Sequence, residues 1–224
     1  MSRVHVSTHP LVAHHVVALR DPATRPTEFR RVVGHITRLL AVEATATVPT
    51  NDVRVSTPLG QARGRRIADR IAVVPILRAG LGMAEGLIEL IPDAEVWHIG
   101  LYRDETTLRP QEYYNKLPAN CGASLAIVVD PMLATGGSAV RTCEILQAAG
   151  IPKIMFLALI AAPQGIARLE AAMPDVSIHV AALDDGLNDV GFIVPGLGDA
   201  GDRQFGTASP HRLQGSRARC VPSI

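Results

Sequence analysis

The chain predicts an α/β fold in which a parallel sheet is flanked by helices on both faces. Three observations carry that expectation. Apolar, β-branched runs of strand length alternate with segments of helical spacing, which is the rhythm of βα units. Hydrophobic residues make up 47% of the 224 residues and aromatics only 4%, so a substantial core is left to Val, Ile, Leu and Ala. One apolar run, residues 125–129, ends in Asp130, then passes through a loop of small residues into a helical segment. The length suits one domain, or one domain with an appended part.

The elements follow in order. Residues 9–20 place Leu11, Val12, Val16 and Leu19 at helical spacing. Thr27 is positioned to cap a second helix, in which Phe29, Val32, Val33, Ile36, Leu39 and Leu40 form the apolar stripe. Val53 and Val55 alternate with polar neighbours, as in a short strand. Residues 71–77, 95–101, 124–129, 153–160 and 176–183 are the main strand candidates. Helices are expected at residues 81–90, 138–149 and 164–172. Residues 103–122 break the rhythm: they are polar, carry Pro110 and Pro118, and are expected to form a long loop. Residues 1–207 are expected to form the domain. Residues 208–224, without periodicity, are expected to be a disordered extension. No internal repeat is visible.

Composition narrows the function classes. The net charge of +1 offers no general reason for a nucleic-acid or anionic-membrane partner. Cys121, Cys143 and Cys220 are scattered and show no C-x-x-C spacing, which suits a reducing cytosol. Residues 1–10 are polar and broken by proline, unlike a secretory signal. The longest apolar run, residues 154–163, is too short to span a bilayer. A cytoplasmic location is therefore expected. The histidines are not expected to cluster, and none has metal-ligand or triad spacing.

The richest stretch is Asp130-Pro131-Met132-Leu133-Ala134-Thr135-Gly136-Gly137-Ser138. Gly136 and Gly137 allow a tight turn that gathers backbone N–H groups into a concavity. The positive end of the following helix adds to it, and the result binds a phosphate. Thr135 and Ser138 contribute hydroxyls. Lysine and the G-x-x-x-x-G-K-[ST] pattern are missing, so this is not a Walker A loop. An acid before such a cradle suggests a ligand with both a phosphate and sugar hydroxyls. A second strand-end glycine turn follows residues 71–77, at Arg78, Gly80 and Gly82. The segment Gly196-Leu197-Gly198-Asp199-Ala200-Gly201 is a literal G-x-G-x-x-G. Too little chain remains after it for the ~30-residue βαβ unit of a dinucleotide site. It reads instead as a loop whose backbone approaches a flat ligand.

Residues 130–138 resemble the phosphoribosyl-diphosphate loop of type I phosphoribosyltransferases, and Asp130-Pro131 is similar to the uracil phosphoribosyltransferase branch. Phe192-Ile193-Val194-Pro195-Gly196-Leu197-Gly198-Asp199-Ala200-Gly201-Asp202-Arg203 resembles that branch's uracil-binding segment. Val74-Pro75-Ile76-Leu77-Arg78-Ala79-Gly80-Leu81-Gly82-Met83 resembles a third shared block. The resemblance runs from about residue 9 to residue 207.

It implies a parallel sheet with a C-terminal base-binding segment and a long flexible loop that closes over the substrate. It also implies conversion of uracil and phosphoribosyl diphosphate (PRPP) to UMP and diphosphate, in pyrimidine salvage. Asp130 would bind ribose hydroxyls. Ala134, Thr135, Gly136, Gly137 and Ser138 would hold the 5-phosphate, with Pro131, Met132 and Leu133 completing the PRPP loop. Arg78 and Arg103 would bind the diphosphate. The backbone at Ile193, Gly198 and Ala200 would read the base, and Asp199 would point toward the sugar diphosphate. Arg103, Asp130 and Asp199 are the catalytic candidates. Mg²⁺ would enter with PRPP. GTP is an implied activator, and a homodimer or higher homo-oligomer is the implied assembly. Two departures stand out: Ala41-Val42 where relatives often carry a tyrosine before Glu-Ala-Thr, and Gly191-Phe192 before Ile-Val-Pro. A PRPP-binding regulator acting on RNA, and a transferase for another base, stay open on sequence alone.

Overall fold

The computed structural model describes residues 3–103, 110–118 and 120–207. The described chain opens with a short strand, β1 (Val4–Val6), and two helices, α1 (Pro10–Arg20) and α2 (Pro26–Ala44). The His9 side chain caps α1 by accepting a hydrogen bond from the Leu11 N–H at 3.1 Å. α2 begins earlier than expected. Pro26 takes the first helical position, where a missing N–H costs nothing, so Arg25 is the N-cap and Thr27 lies inside the helix. A hairpin follows, β2 (Thr50–Thr57) and β3 (Gly60–Ile67), of which the Val53–Val55 alternation foretold only the first strand. The β3 sequence, GQARGRRI, has no apolar face, because both sides of this two-stranded ribbon are largely exposed.

The doubly covered sheet begins at β4 (Ile71–Leu77), followed by α3 (Leu81–Leu90), β5 (Glu95–Val96), β6 (Ile99–Arg103) and β7 (Pro110–Asn115). Part of the expected loop at 103–122 is thus a strand: β7 pairs antiparallel with β6. Tyr113 explains the pairing. A Cβ on Gly100 would lie 2.6 Å from the Tyr113 ring, so the glycine makes room for an aromatic laid across the neighbouring strand. Residues 104–109 lie outside the described residues. Next come β8 (Leu125–Val129), β9 (Met132–Leu133), α4 (Gly137–Ala148), β10 (Ile154–Ala161), α5 (Pro163–Ala172) and β11 (Ser177–Leu183). The segment ends with β12 (Gly186–Leu187), β13 (Ile193–Val194) and α6 (Ala200–Phe205). The expected extension at 208–224 lies outside the described residues.

Among the described residues the main sheet runs β1-β11-β10-β8-β4-β6-β7, with β5 beside β4 and β9 beside β10. Every pairing is parallel except β6 with β7. Period-two alternation divides the core. Ile71, Val73, Leu125, Ile127, Val129, Leu157 and Leu159 face α1, α2 and α3. Ala72, Val74, Ala126, Val128, Phe156 and Ala158 face α4 and α5. A strand buried on both faces must be apolar throughout, which is why β4 and β8 read as unbroken hydrophobic runs. Each fully buried Val, Leu or Ile contributes roughly 1.5–3 kcal/mol, so this sheet is a stiff platform for whatever its C-terminal edge carries. No helix among the described residues is long and apolar enough to cross a membrane.

Candidate active site

The register of β4 on β8 decides the geometry. Pro75 pairs with Val129, so the chain leaves both strands at the same edge, with Arg78 three residues past one partner and Asp130 one past the other. The turn at Gly80 lies tight against that exit. A Cβ there would lie 2.5 Å from the Val129 carbonyl oxygen and 2.9 Å from that of Ile76, a space no side chain can share. The Leu77–Arg78 peptide is cis.

Asp130 is half-buried at the strand end. Its Oδ1 accepts a long hydrogen bond, 3.4 Å, from the Met132 N–H. Burial pushes its carboxyl up to about 7, and that one hydrogen bond only partly opposes the shift. Beyond it the loop is stitched to β10. The Pro131 carbonyl accepts from the N–H groups of Leu159 and Ile160, and the Leu133 carbonyl from Ala162. Met132 pairs with Ile160, and Leu133 with Ala161. Gly136 adopts left-handed backbone, φ 76°, as the N-cap of α4. The N–H groups of Thr135, Gly136, Gly137 and Ser138 donate to no protein acceptor among the described residues. Together with the α4 N-terminus they form a set of donors suited to an anion.

The cradle has a backing that sequence reasoning missed. Gly165, in the first turn of α5, packs directly behind it. A Cβ at Gly165 would lie 2.4 Å from the Ala134 carbonyl oxygen and 2.5 Å from that of Leu133. A Cβ at Gly136 would in turn meet the Gly165 carbonyl oxygen at 2.8 Å. The Arg168 guanidinium reaches the Thr135 carbonyl at 3.4 Å. Gly165 sits 29 to 32 residues along the sequence from Leu133, Ala134 and Gly136, the loop residues it meets, with no local signal to mark it.

The third segment arrives from the C-terminal side. β12 and β13 form a small antiparallel pair, and Asn188 Oδ1 accepts from the N–H groups of Val190 and Phe192 to close its turn. Gly196 and Gly198 have positive φ, 66° and 78°. A Cβ on Gly196 would lie 2.1 Å from the Ile193 carbonyl oxygen. Asp199 caps α6, its Oδ1 accepting from the Asp202 N–H at 2.9 Å. That local bond gives the expected catalytic carboxylate a structural task. Arg78 joins this segment to the β4 turn. It pairs with Asp202 at 3.1 Å, reaches the Thr207 hydroxyl at 3.3 Å and lies 5.7 Å from the Phe205 ring centroid. The buried Gln204 amide donates to the carbonyls of Ala79 and Ala200 at 2.9 and 3.1 Å.

The structure therefore brings Arg78, residues 130–138 and the 193–200 segment to one end of the sheet. Ile193 and Ala200 are buried, and Gly198 is exposed. Arg103 is the last residue of β6, beside β4. Two further residues missed from sequence are Arg20 and Asp184, an ion pair at the base segment. Asp184 follows a buried strand just as Asp130 does, a signal that was available. Arg20 carried none. The histidines cluster, contrary to expectation. His15 lies 5.4 Å from His14 and 5.0 Å from His35 between ring centroids, because α1 packs on α2, and His5 stacks on His179 at 4.6 Å. Burial, and then His5, hold the His179 pKa down at about 4.

Comparison with known proteins agrees with this arrangement. The family model described as uracil phosphoribosyltransferase matches residues 6–207. A uracil phosphoribosyltransferase of Roseiflexus castenholzii is 55% identical over 207 residues, covering 92% of this chain and all of the relative. One from Dictyoglomus turgidum is 52% identical, covering 90% of this chain and 98% of the relative. The solved structure of the AQ2163 protein from Aquifex aeolicus superposes with a TM-score of 0.87 at 35% identity, over 92% of this chain and 99% of that one. Given so long a match and three motif blocks gathered at one sheet edge, this chain belongs to the uracil phosphoribosyltransferase family, pentosyltransferases that convert uracil and PRPP to UMP and diphosphate.

Proposed function

We propose that the residues at this edge divide the family's reaction among themselves as follows. The N–H groups of Thr135 to Ser138 bind the 5-phosphate. Asp130 accepts hydrogen bonds from the ribose hydroxyls, Pro131, Met132 and Leu133 shape the floor, and Ala134 opens the phosphate cradle. Arg78 and Arg103 bind the diphosphate through their planar forks. The backbone at Ile193, Gly198 and Ala200 matches the hydrogen-bonding edge of uracil. Asp199 fixes the N-terminus of α6 and so sets Ala200.

In this reading uracil N1 bonds to the ribose C1 as the bond from C1 to diphosphate breaks, and the proton on N1 is released to the departing diphosphate or to solvent. Positioning and stabilisation of the departing charge supply most of the acceleration. No group of three His, Cys, Asp or Glu among the described residues is placed to cage an ion. The donor set fits Mg²⁺ carried on the substrate's own diphosphate and sugar oxygens, where it would neutralise leaving-group charge.

The observation that carries the reading is the Pro75–Val129 register, which delivers Arg78 and Asp130 to one edge beside the glycine turn at 196–198. Self-association has support in the β2–β3 hairpin, a separate ribbon that exposes Val55, Ile67 and almost all of Leu59. The test is base choice. Cytosine exchanges an acceptor for a donor at one edge, and a mismatched buried hydrogen bond costs roughly 1–3 kcal/mol. Steady-state kinetics with both bases, with and without GTP, should give uracil a kcat/KM at least about fivefold higher. Equal values would overturn the assignment of the base segment. A GTP-dependent rise would add activation.

A further inference from the structure

We propose that Arg20 and Asp184 are a positioning pair for uracil, holding the turn at Gly196 so that the base-reading backbone stands in its binding geometry. This rests on the reading above, in which Ile193, Gly198 and Ala200 recognise uracil. Neither residue belongs to the base segment, and they lie 164 positions apart. Asp184 is almost fully buried, its side chain 2% exposed, and Arg20 is three-quarters covered. The two form a bidentate pair, Arg20 Nη1 to Asp184 Oδ2 at 2.9 Å and Nη2 to Oδ1.

Both partners also grip one residue. The Gly196 N–H donates to Asp184 Oδ2 at 2.8 Å, and the Gly196 carbonyl accepts from Arg20 Nη1 at 2.9 Å. Both main-chain polar groups of one residue are thus committed to the same ion pair, and that residue lies between Ile193 and Gly198. Its left-handed φ of 66° and the Ile193 carbonyl oxygen in Cβ space admit only glycine here, and because glycine has the freest backbone this conformation depends on partners to hold it. The next residue is held the same way: Arg203 donates to the Leu197 carbonyl at 2.8 Å and to the Leu19 carbonyl beside Arg20. The C-terminal turn of α1 thus acts as an anchor for the base segment.

A buried pair of this kind adds little net stability over an apolar replacement, whereas removing one partner leaves an uncompensated charge. A pair that grips both main-chain polar groups of one glycine therefore points to geometry rather than to bulk stability. The side chains touch no substrate in this reading. Their effect on catalysis would pass through backbone position, and a displacement of a fraction of an ångström at Gly198 and Ala200 would weaken uracil binding while leaving the PRPP cradle intact.

Asp184→Asn and Arg20→Lys, in the 224-residue chain, separate the possibilities. Asparagine keeps an acceptor for the Gly196 N–H but loses the charge, and lysine keeps the charge but loses the fork. Steady-state kinetics should show KM for uracil raised roughly tenfold or more in Asp184→Asn, equivalent to about 1.4 kcal/mol. KM for PRPP should stay within twofold, and the lysine variant should fall between the mutant and the parent. If Asp184→Asn does not fold, Arg20→Lys alone carries the test. Lower thermal stability with an unchanged KM for uracil, in whichever variants fold, would overturn the positioning role and leave a purely structural pair. An equal rise in both KM values would overturn it too. Parental turnover of uracil is measured first: its absence would overturn the reaction itself, a failure distinct from either of these.

Discussion

Gly165→Ala is the sharpest perturbation the site offers, because it adds one methyl group behind the phosphate cradle and changes no group facing the substrate. The new Cβ would lie 2.4 Å from the Ala134 carbonyl oxygen, 2.5 Å from the Leu133 oxygen and 3.0 Å from the Leu133 carbonyl carbon. A carbon and a carbonyl oxygen settle at about 3.3–3.6 Å, so the two segments must part by roughly 1 Å. All three obstructing atoms are backbone, and no rotamer can relieve the contact. Overpacking of this sort costs roughly 1–3 kcal/mol. α5 is held by Ile166 and Leu169 in the core, while the loop at 134–138 is the thinner element, so the loop is expected to move. Donors displaced by such an amount leave the 2.7–3.2 Å range of a good hydrogen bond. Affinity for PRPP should then fall roughly 5- to 100-fold, at 1.4 kcal/mol per tenfold. Calorimetric titration with PRPP and Mg²⁺ reads this directly, with a thermal melt to establish folding and the KM for uracil as the internal control. A folded variant with parental PRPP affinity would refute the placement of the cradle at residues 134–138.

Asp130→Asn tests the buried carboxyl. Its pKa stands at about 7 against an ordinary 3.8. The folded chain therefore keeps a proton that the unfolded chain has lost, and the group's stabilising contribution, full below about 3.8, fades as pH rises toward 7. Asparagine removes that loss, so the variant's Tm should gain on the parent's between about pH 4 and pH 8 while its PRPP affinity drops. Parallel Tm curves would contradict it. Arg103→Ala should lower kcat on the order of 10²-fold, as loss of a preorganised donor does, with partial rescue by lysine. Parental kcat in a folded variant would reduce Arg103 to a surface charge. Deleting residues 208–224 should leave activity and Tm near the parent's, since that sequence has no apolar periodicity to bury. A large loss of either would show that it docks.

Much of this was legible in the sequence because it is locally encoded. β4, β8 and β10 declare themselves as apolar runs, since both of their faces are covered. The loop at 130–138 declares itself because strand, carboxylate, glycines and helix start follow one another without interruption. What stayed hidden was set by distance or by weak pattern. β3 has no apolar face, and β7 is recognisable only through Tyr113 lying over Gly100. Thr27 has the residue type of a cap, but Pro26 takes the first turn and moves the N-cap to Arg25. Gly165, Arg20 and Asp184 act through partners far along the chain, and only tertiary packing reveals them. The motif position of Asp199 marks it as a site residue, but only the structure shows that its Oδ1 also caps α6.

The central claim is that this chain joins uracil to the ribosyl group of PRPP. The most direct measurement incubates the 224-residue chain with Mg²⁺, PRPP and, separately, uracil, cytosine, adenine, guanine and hypoxanthine, and quantifies nucleotide and diphosphate together. The account predicts UMP and diphosphate in equal amounts from uracil, with little nucleotide from the other bases. Nucleotide from a purine in preference to uracil, or no diphosphate released with uracil, would contradict it.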